Sequence, residues 1–307
     1  MAKNLSRKDN DIFIQPGTHI HGKWNKNEYI VQRKIGAGMI GTVYLCRRKN
    51  KLVALKMSNK AMSMTTEVNV LKALNKVQDN RLGPFLLDVD DWITERGQKY
   101  SFYVMEYIKG KSLEEFIRRN GDEWIGVFLV QILEQLDQLH HSGWVFGDLK
   151  NDNLLISGSP PRIRFIDVGG TTKIGRSIKE YSEFYDRAYW YLGTREAEPS
   201  YDLFAVVMVF LTVFFPKKFK RTHHSHQLII QKVNEIPALK PYRRCFHKAI
   251  LGKYDTARQM KDDVLHALIS RQSIQRFRRN HKTHLIVEAM IISILSGICF
   301  TVTYFLF

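Results

Sequence analysis

The feature that most constrains this chain is a change of hydrophobic period near Gly110. Ahead of it, Tyr29 to Lys34, Val43 to Arg47, Lys51 to Met57 and Tyr100 to Ile108 are short runs rich in β-branched and aromatic residues, separated by glycines or charged turns, which is the pattern of antiparallel strands. One helix interrupts them, because Glu67, Val70, Leu71 and Leu74 fall at i, i+3, i+4 and i+7. That spacing puts the Glu67 carboxylate on the apolar, inward face, where it needs a cation. After Gly110 the period becomes helical, with Ile125, Phe128, Leu129, Ile132, Leu133, Leu136 and Leu139 forming one stripe that ends at His140, His141 and Gly143. The expected fold class is α+β, a small antiparallel β lobe with one helix ahead of a larger helical lobe. No internal repeat or low-complexity tract divides the chain further.

A second constraint lies at the C-terminus. Residues 289–307 carry no charged side chain and as a helix would span about 28 Å, close to the thickness of a bilayer core. Residues 285–307 are therefore expected to form a transmembrane helix. The flank at 271–284 holds Arg271, Arg276, Arg278, Arg279 and Lys282 with no acidic residue, so the positive-inside rule leaves the rest of the chain in the cytoplasm of a single-pass, tail-anchored protein. Five such cations beside anionic lipid are worth roughly 1 kcal/mol each. The apolar run 203–215 would reach only about 20 Å, which suits a core helix. Residues 1–17 lack the apolar stretch of a secretory signal. Cys46, Cys245 and Cys299 lie far apart with no paired metal-ligand spacing, against a zinc site or a disulfide scaffold. The net charge of +17 leaves basic runs such as Lys217-Lys218-Phe219-Lys220-Arg221 that the membrane flank does not account for; they are solvated faces or a surface for nonspecific contact with DNA.

The residues that carry chemistry fall in both halves. Gly36, Gly38 and Gly41 lie between two expected strands, where a backbone without Cβ atoms can approach phosphates, although an ordinary hairpin would also use them. Thr42 to Leu45 continues as a strand, which argues against a dinucleotide fingerprint that opens a helix. Lys56 leaves the next apolar strand and could pair with Glu67. Further on comes Phe146-Gly147-Asp148-Leu149-Lys150-Asn151-Asp152-Asn153, and Asp167 of Ile166-Asp167-Val168-Gly169 lies fourteen residues after Asn153.

With these runs the chain resembles the Hanks-type, or eukaryotic-like, protein kinases over about Tyr29 to Leu268. The resemblance implies a bilobal kinase domain over residues 29–270, its lobes meeting near residues 108–109, after an extension at 1–28. It implies that Asp148 orients the substrate hydroxyl, that Lys150 steadies the transferred phosphate, and that Asn153 and Asp167 hold Mg2+. It places ATP among Ile35, Gly36, Gly38, Gly41, Val43, Ala54 and Met105, with Lys56, supported by Glu67, on the α- and β-phosphates and the backbone of Glu106 and Ile108 on the adenine edge. Lys150 and Gly193-Thr194 resemble the serine/threonine branch, so the expected substrates are protein Ser and Thr hydroxyls; Asp202 matches the buried aspartate that bonds the catalytic-loop backbone.

The wording of Ile166 to Lys173 and Ala197 to Ala205 is closer still to a subgroup, the YabT-like kinases of spore-forming bacteria, which implies membrane-bound signalling during sporulation. The chain departs from the family where Gly147 replaces the arginine that reads a phosphorylated activation loop, where Val168 replaces Phe, and where Ala197-Glu198-Pro199 permutes Ala-Pro-Glu. Two alternatives remain at this stage: a small-molecule kinase, which shares Gly147-Asp148, and a pseudokinase that serves as a membrane scaffold or nucleic-acid binder. The intact set Lys56, Asp148, Asn153 and Asp167 argues against the second.

Overall fold

The structure is a computed structural model describing residues 12–38, 41–76 and 83–270. The small lobe is a six-stranded antiparallel sheet in the order β1-β2-β3-β4-β6-β5. Its strands are β1 (His19–His21), β2 (Glu28–Ala37), β3 (Thr42–Arg48), β4 (Lys51–Ser58), β5 (Leu86–Ile93) and β6 (Lys99–Glu106), with helix α1 (Ala61–Lys76) between β4 and β5. Alternation along β4 decides where chemistry can go. Val53, Leu55 and Met57 join Tyr29, Val31, Tyr44, Phe102 and Val104 in one apolar cluster, so Ala54 and Lys56 face the other side of the sheet. There Ala54 packs with Met64, Val68, Leu71, Tyr103 and Met105.

Two strands escape the sequence pattern. Residues 1–28 read as an extension, yet β1 pairs with β2 and Ile14 and Ile20 are buried in the sheet's core. Three residues are too few for a periodic signal. β5 carries Asp88, Asp90 and Asp91, which disguise it. Each of these carboxylates has donors. Asp88 accepts from Tyr29 Oη at 2.5 Å, Asn25 Nδ2 at 2.6 Å and Asn27 Nδ2 at 2.8 Å, while Asp90 accepts the backbone amides of Trp24 and Asn25 and Asp91 accepts from the Ser101 hydroxyl at 2.8 Å. The strand thereby fixes the β1–β2 turn.

Burial favours the neutral form of Asp88, but hydrogen bonds from Tyr29, Asn27 and Asn25 outweigh it and hold its pKa below the ordinary 3.8. A depressed carboxylate stabilises the fold above its unfolded-state pKa and ceases to as pH falls through the lower, folded value. Asp88→Ala leaves the buried Tyr29 hydroxyl without this acceptor and is expected to cost about 1–3 kcal/mol, read by urea denaturation at pH 7.

The large lobe holds α2 (Leu113–Asn120), α3 (Trp124–His141), β7 (Trp144–Val145), β8 (Leu154–Ser157), β9 (Arg162–Phe165), β10 (Thr172–Lys173), α4 (Pro199–Phe214), α5 (Ser225–Glu235) and α6 (Arg243–Ile250), followed by a helix over residues 257–270. All seven stripe residues of α3 are buried. Ser112 caps α2, its hydroxyl accepting from the Glu115 amide at 3.1 Å. α4 contains the apolar run up to Phe214 and is buried from Tyr201 through Thr212, so it is the core helix its length implies. Among the described residues no helix is long and apolar enough to cross a membrane. The expected span at 285–307 and its basic flank at 271–284 lie outside the described residues.

Candidate active site

The lobes enclose a cleft of about 900 Å3. Ile35, Gly36, Gly38, Val43, Ala54, Lys56, Met105, Glu106 and Ile108 line it from the small lobe; Asp148, Lys150, Asn153 and Asp167 line it from the large one. The sheet register accounts for the upper wall, since Val43 pairs with Lys56 and Ala54 with Met105. Two expected residues stand behind the wall. Gly41 lies just ahead of β3, beside the end of β4, and a Cβ there would collide with the Met57 carbonyl. Glu67 is buried beneath Lys56.

Lys56 Nζ lies 2.8 Å from Glu67 Oε2 and 3.6 Å from Asp167 Oδ1. Helix α1 starts three residues after β4, which makes the short interval between Lys56 and Glu67 sufficient. Tyr103, opposite Lys56 in the sheet, donates its hydroxyl to Glu67 Oε2 at 2.7 Å. Burial opposes the Lys56 charge, but Asp167 and Glu67 overcome it and raise the pKa above that of a free lysine. For Glu67 burial prevails over Lys56 and the pKa is raised. Asp167 behaves oppositely: its enclosure favours the neutral acid, yet Lys56 and the Gly169 amide keep it ionised below the usual aspartate range.

The lower wall is held from within. Asp202, fully buried at the start of α4, accepts from the Phe146 amide at 2.7 Å, the Gly147 amide at 3.0 Å and His140 Nε2 at 2.9 Å. It anchors the loop that presents Asp148, as the sequence suggests. The Asn153 amide nitrogen donates to the Asp148 carbonyl at 2.8 Å, leaving its side-chain oxygen to offer to the cleft. Lys150 Nζ pairs with Asp148 Oδ2.

Ser182 makes a contact that no sequence motif assigns. Its hydroxyl donates to Asp148 Oδ1 at 2.9 Å and accepts from Lys150 Nζ at 3.3 Å. Thr194, which with Gly193 resembles the serine/threonine branch, supplies its carbonyl to Arg187 Nε and its hydroxyl to the Glu196 amide. Only the folded path of residues 168–198 distinguishes the two hydroxyls. Glu180 also lines the cleft, and burial raises its carboxyl to about 7.

The glycine before Asp148 has a steric cause. Gly147 has φ +81°, and a Cβ on it would sit 2.6 Å from the Gly170 carbonyl oxygen. Gly170 in turn leaves no room for a Cβ, which would lie 2.7 Å from Asp148 Cβ. The loop bearing Asp148 and the turn after Asp167 thus touch backbone to backbone. Gly147→Ala combines a left-handed backbone with this collision and is expected to cost about 2 kcal/mol and to lower kcat by displacing Asp148, with circular dichroism separating the displacement from unfolding.

Residues 29–290 match the protein kinase domain. The chain belongs to the protein kinase family. It is 49% identical over 255 residues to the serine/threonine-protein kinase YabT of Bacillus subtilis, covering 83% of this chain and 75% of that protein. The serine/threonine-protein kinase ULK3 of Xenopus laevis is 31% identical over 156 residues, 46% of this chain and 31% of that relative. The chain is therefore a Hanks-type serine/threonine protein kinase of the YabT-like kind, with ATP the phosphoryl donor that the family implies. A protein kinase has no need of strong covalent catalysis. It needs a hydroxyl aimed at a phosphate whose charge is neutralised, and this kinase brings the carboxylates, amide and lysines for that into one cleft.

Proposed function

We propose that this kinase transfers the γ-phosphate of Mg2+-bound ATP to protein Ser and Thr hydroxyls, with Asp148 aiming the hydroxyl and taking its proton. The observation that carries this reading is the seat of the Ser182 hydroxyl, bonded to Asp148 and beside Lys150 in the same cleft as Lys56 and Asp167. A substrate alcohol would take the same seat. Asp167 and the free oxygen of Asn153 form an all-oxygen donor set, the chemistry Mg2+ requires, and these two would hold it. The ion would neutralise phosphate charge during transfer. Lys56, positioned by Glu67, would hold the α- and β-phosphates. The Glu106 amide already donates to the Phe85 carbonyl at 2.9 Å, so at the adenine edge this residue would offer its carbonyl and Ile108 its amide. Chelation of divalent cations should abolish transfer and added Mg2+ should restore it; transfer unaffected by chelation would refute the metal assignment.

The proposal includes control by location. Gly147 supplies no cation for a phosphorylated activation loop, and the segment is tied down without one: Asp186 binds Arg195 at 2.8 Å and the Tyr201 hydroxyl at 3.0 Å, and Arg187 pairs with Glu198 at 2.5 Å. Thr171 and Thr172 are buried. Alanine at Thr171, Thr172, Ser177 and Thr194 with acidic rescue is the test; loss restored by the acidic variants would contradict control by location.

Attachment through 285–307, with anionic lipid at 271–284 and a cytoplasmic kinase domain, follows from the uncharged run and its basic flank. A role in sporulation rests on the resemblance of the sequence to the YabT-like kinases of spore-forming bacteria. Alkaline carbonate should leave the full chain in the membrane pellet and release a chain cut after residue 270; release of both would end the anchoring proposal. The basic surface adds nonspecific DNA contact to this reading, although Lys218 and Arg221 also rest on the rings of Tyr185 and Tyr189. Such binding must weaken steeply as salt rises.

A further inference from the structure

The β1–β2 ladder builds a second cluster of ligating side chains away from the cleft. β1 is an edge strand of the sheet, and its alternation buries Ile20 while exposing His19 and His21 on one face. Register places His21 opposite Glu28. Glu28 Oε1 lies 2.5 Å from His19 Nδ1 and 3.7 Å from His21 Nε2, the two rings stack with centroids 6.2 Å apart, and one ligating atom from each residue lies within 4.8 Å of the others.

The backbone that carries these groups is fixed. The Gly22 amide donates to the Asn27 carbonyl, the Lys23 amide to the Asp91 carbonyl, and Asp90 holds the amides of Trp24 and Asn25. Gly22 lies so close to Asp90 that a Cβ would collide with its carboxylate. The three ligands therefore stand on a preorganised hairpin, and only side-chain rotation is needed to converge.

We propose that His19, His21 and Glu28 form a surface site for one divalent cation of the zinc class, with water completing the shell. Two imidazoles and a carboxylate suit Zn2+, which takes nitrogen at about 2.0–2.1 Å and oxygen at about 2.0–2.2 Å. They do not suit Mg2+ or Ca2+, which prefer oxygen alone. The ion would clamp the edge strand to its neighbour and cover part of the free edge.

The test is competition for Zn2+ between a chromophoric chelator and the untagged full-length protein, in millimolar Mg2+ so that the oxygen ligands of the cleft are occupied. The expected result is one zinc bound with micromolar affinity, weakened at least about tenfold by His21→Ala and by His19→Ala. Both imidazoles are more than half exposed, at 53% and 65%, so neither replacement opens the core, and kinase activity should stay at the parent level. No zinc bound at submillimolar concentration would overturn the proposal. Equal affinity in the parent and in the doubly substituted chain would do so as well, because the zinc would then sit elsewhere.

Discussion

Asp148→Asn is expected to lower kcat by at least about 100-fold, and by up to about 10,000-fold, while the protein remains folded and still binds ATP. The change is isosteric. The replacement side chain could still accept from Ser182 or Lys150 through its one carbonyl oxygen, so the loop held by Asp202 should stay in place. What is lost is the anion proposed to accept the hydroxyl proton. A hundredfold loss corresponds to about 2.7 kcal/mol of transition-state stabilisation. Nucleotide affinity measured by a fluorescent ATP analogue should change little, because Asp148 is proposed to meet the alcohol and not the nucleotide. A variant that retained a tenth of parental activity would contradict the role given to this carboxylate.

Lys56→Met should be nearly as severe and should carry a stability cost that Asp148→Asn does not. The lysine is 5% exposed and is the cation between Glu67 and Asp167. Without it the Glu67 carboxylate is left in the core with the Tyr103 hydroxyl as its remaining donor. Breaking a buried pair in this way costs about 3–5 kcal/mol when the partner stays charged. Here burial already raises the Glu67 pKa, so the orphaned acid can take up a proton and the expected cost lies near the lower limit, about 3 kcal/mol. Chemical denaturation measures it. Activity should fall on the order of 100-fold, because the phosphates would lose the group proposed to orient them. Glu67→Gln is the milder control, since the amide can still meet Tyr103 and Lys56 keeps Asp167. Equal stability of Lys56→Met and the parent would show that the pair does not support the small lobe.

The kinase cleft was legible wherever spacing along the chain equals proximity in space. Asp148, Lys150 and Asn153 lie within one loop, and Asp167 follows a short hairpin formed by β8 and β9, so their grouping survives translation into three dimensions. Lys56 and Glu67 were legible through period, a strand alternating by two and a helix returning near every fourth residue. What escaped depended on partners remote in sequence. β5 looks like a charged loop until Tyr29, Asn25 and Asn27, about sixty residues earlier, are seen to satisfy its carboxylates. β1 is too short for periodicity and is specified by pairing with β2.

Ser182 and Thr194 illustrate the same limit within the activation segment. Both are small hydroxyls in polar surroundings, and nothing local in the sequence separates them as candidates for the cleft. The ion pairs of Asp186 and Arg187 set the chain's path so that Ser182 enters the cleft and Thr194 does not. The replacement at Gly147 was legible as a departure from the family, but its reason was not. The reason is the contact with Gly170, which no local pattern records.

The most direct test of the central claim is phosphoamino-acid analysis after incubation of the full-length protein with γ-labelled ATP, Mg2+ and a generic basic protein, beside the Asp148→Asn variant. The expected result is labelled phosphoserine and phosphothreonine on protein with the parent chain and none above background with the variant. Label confined to small molecules, or equal labelling by parent and variant, would contradict it.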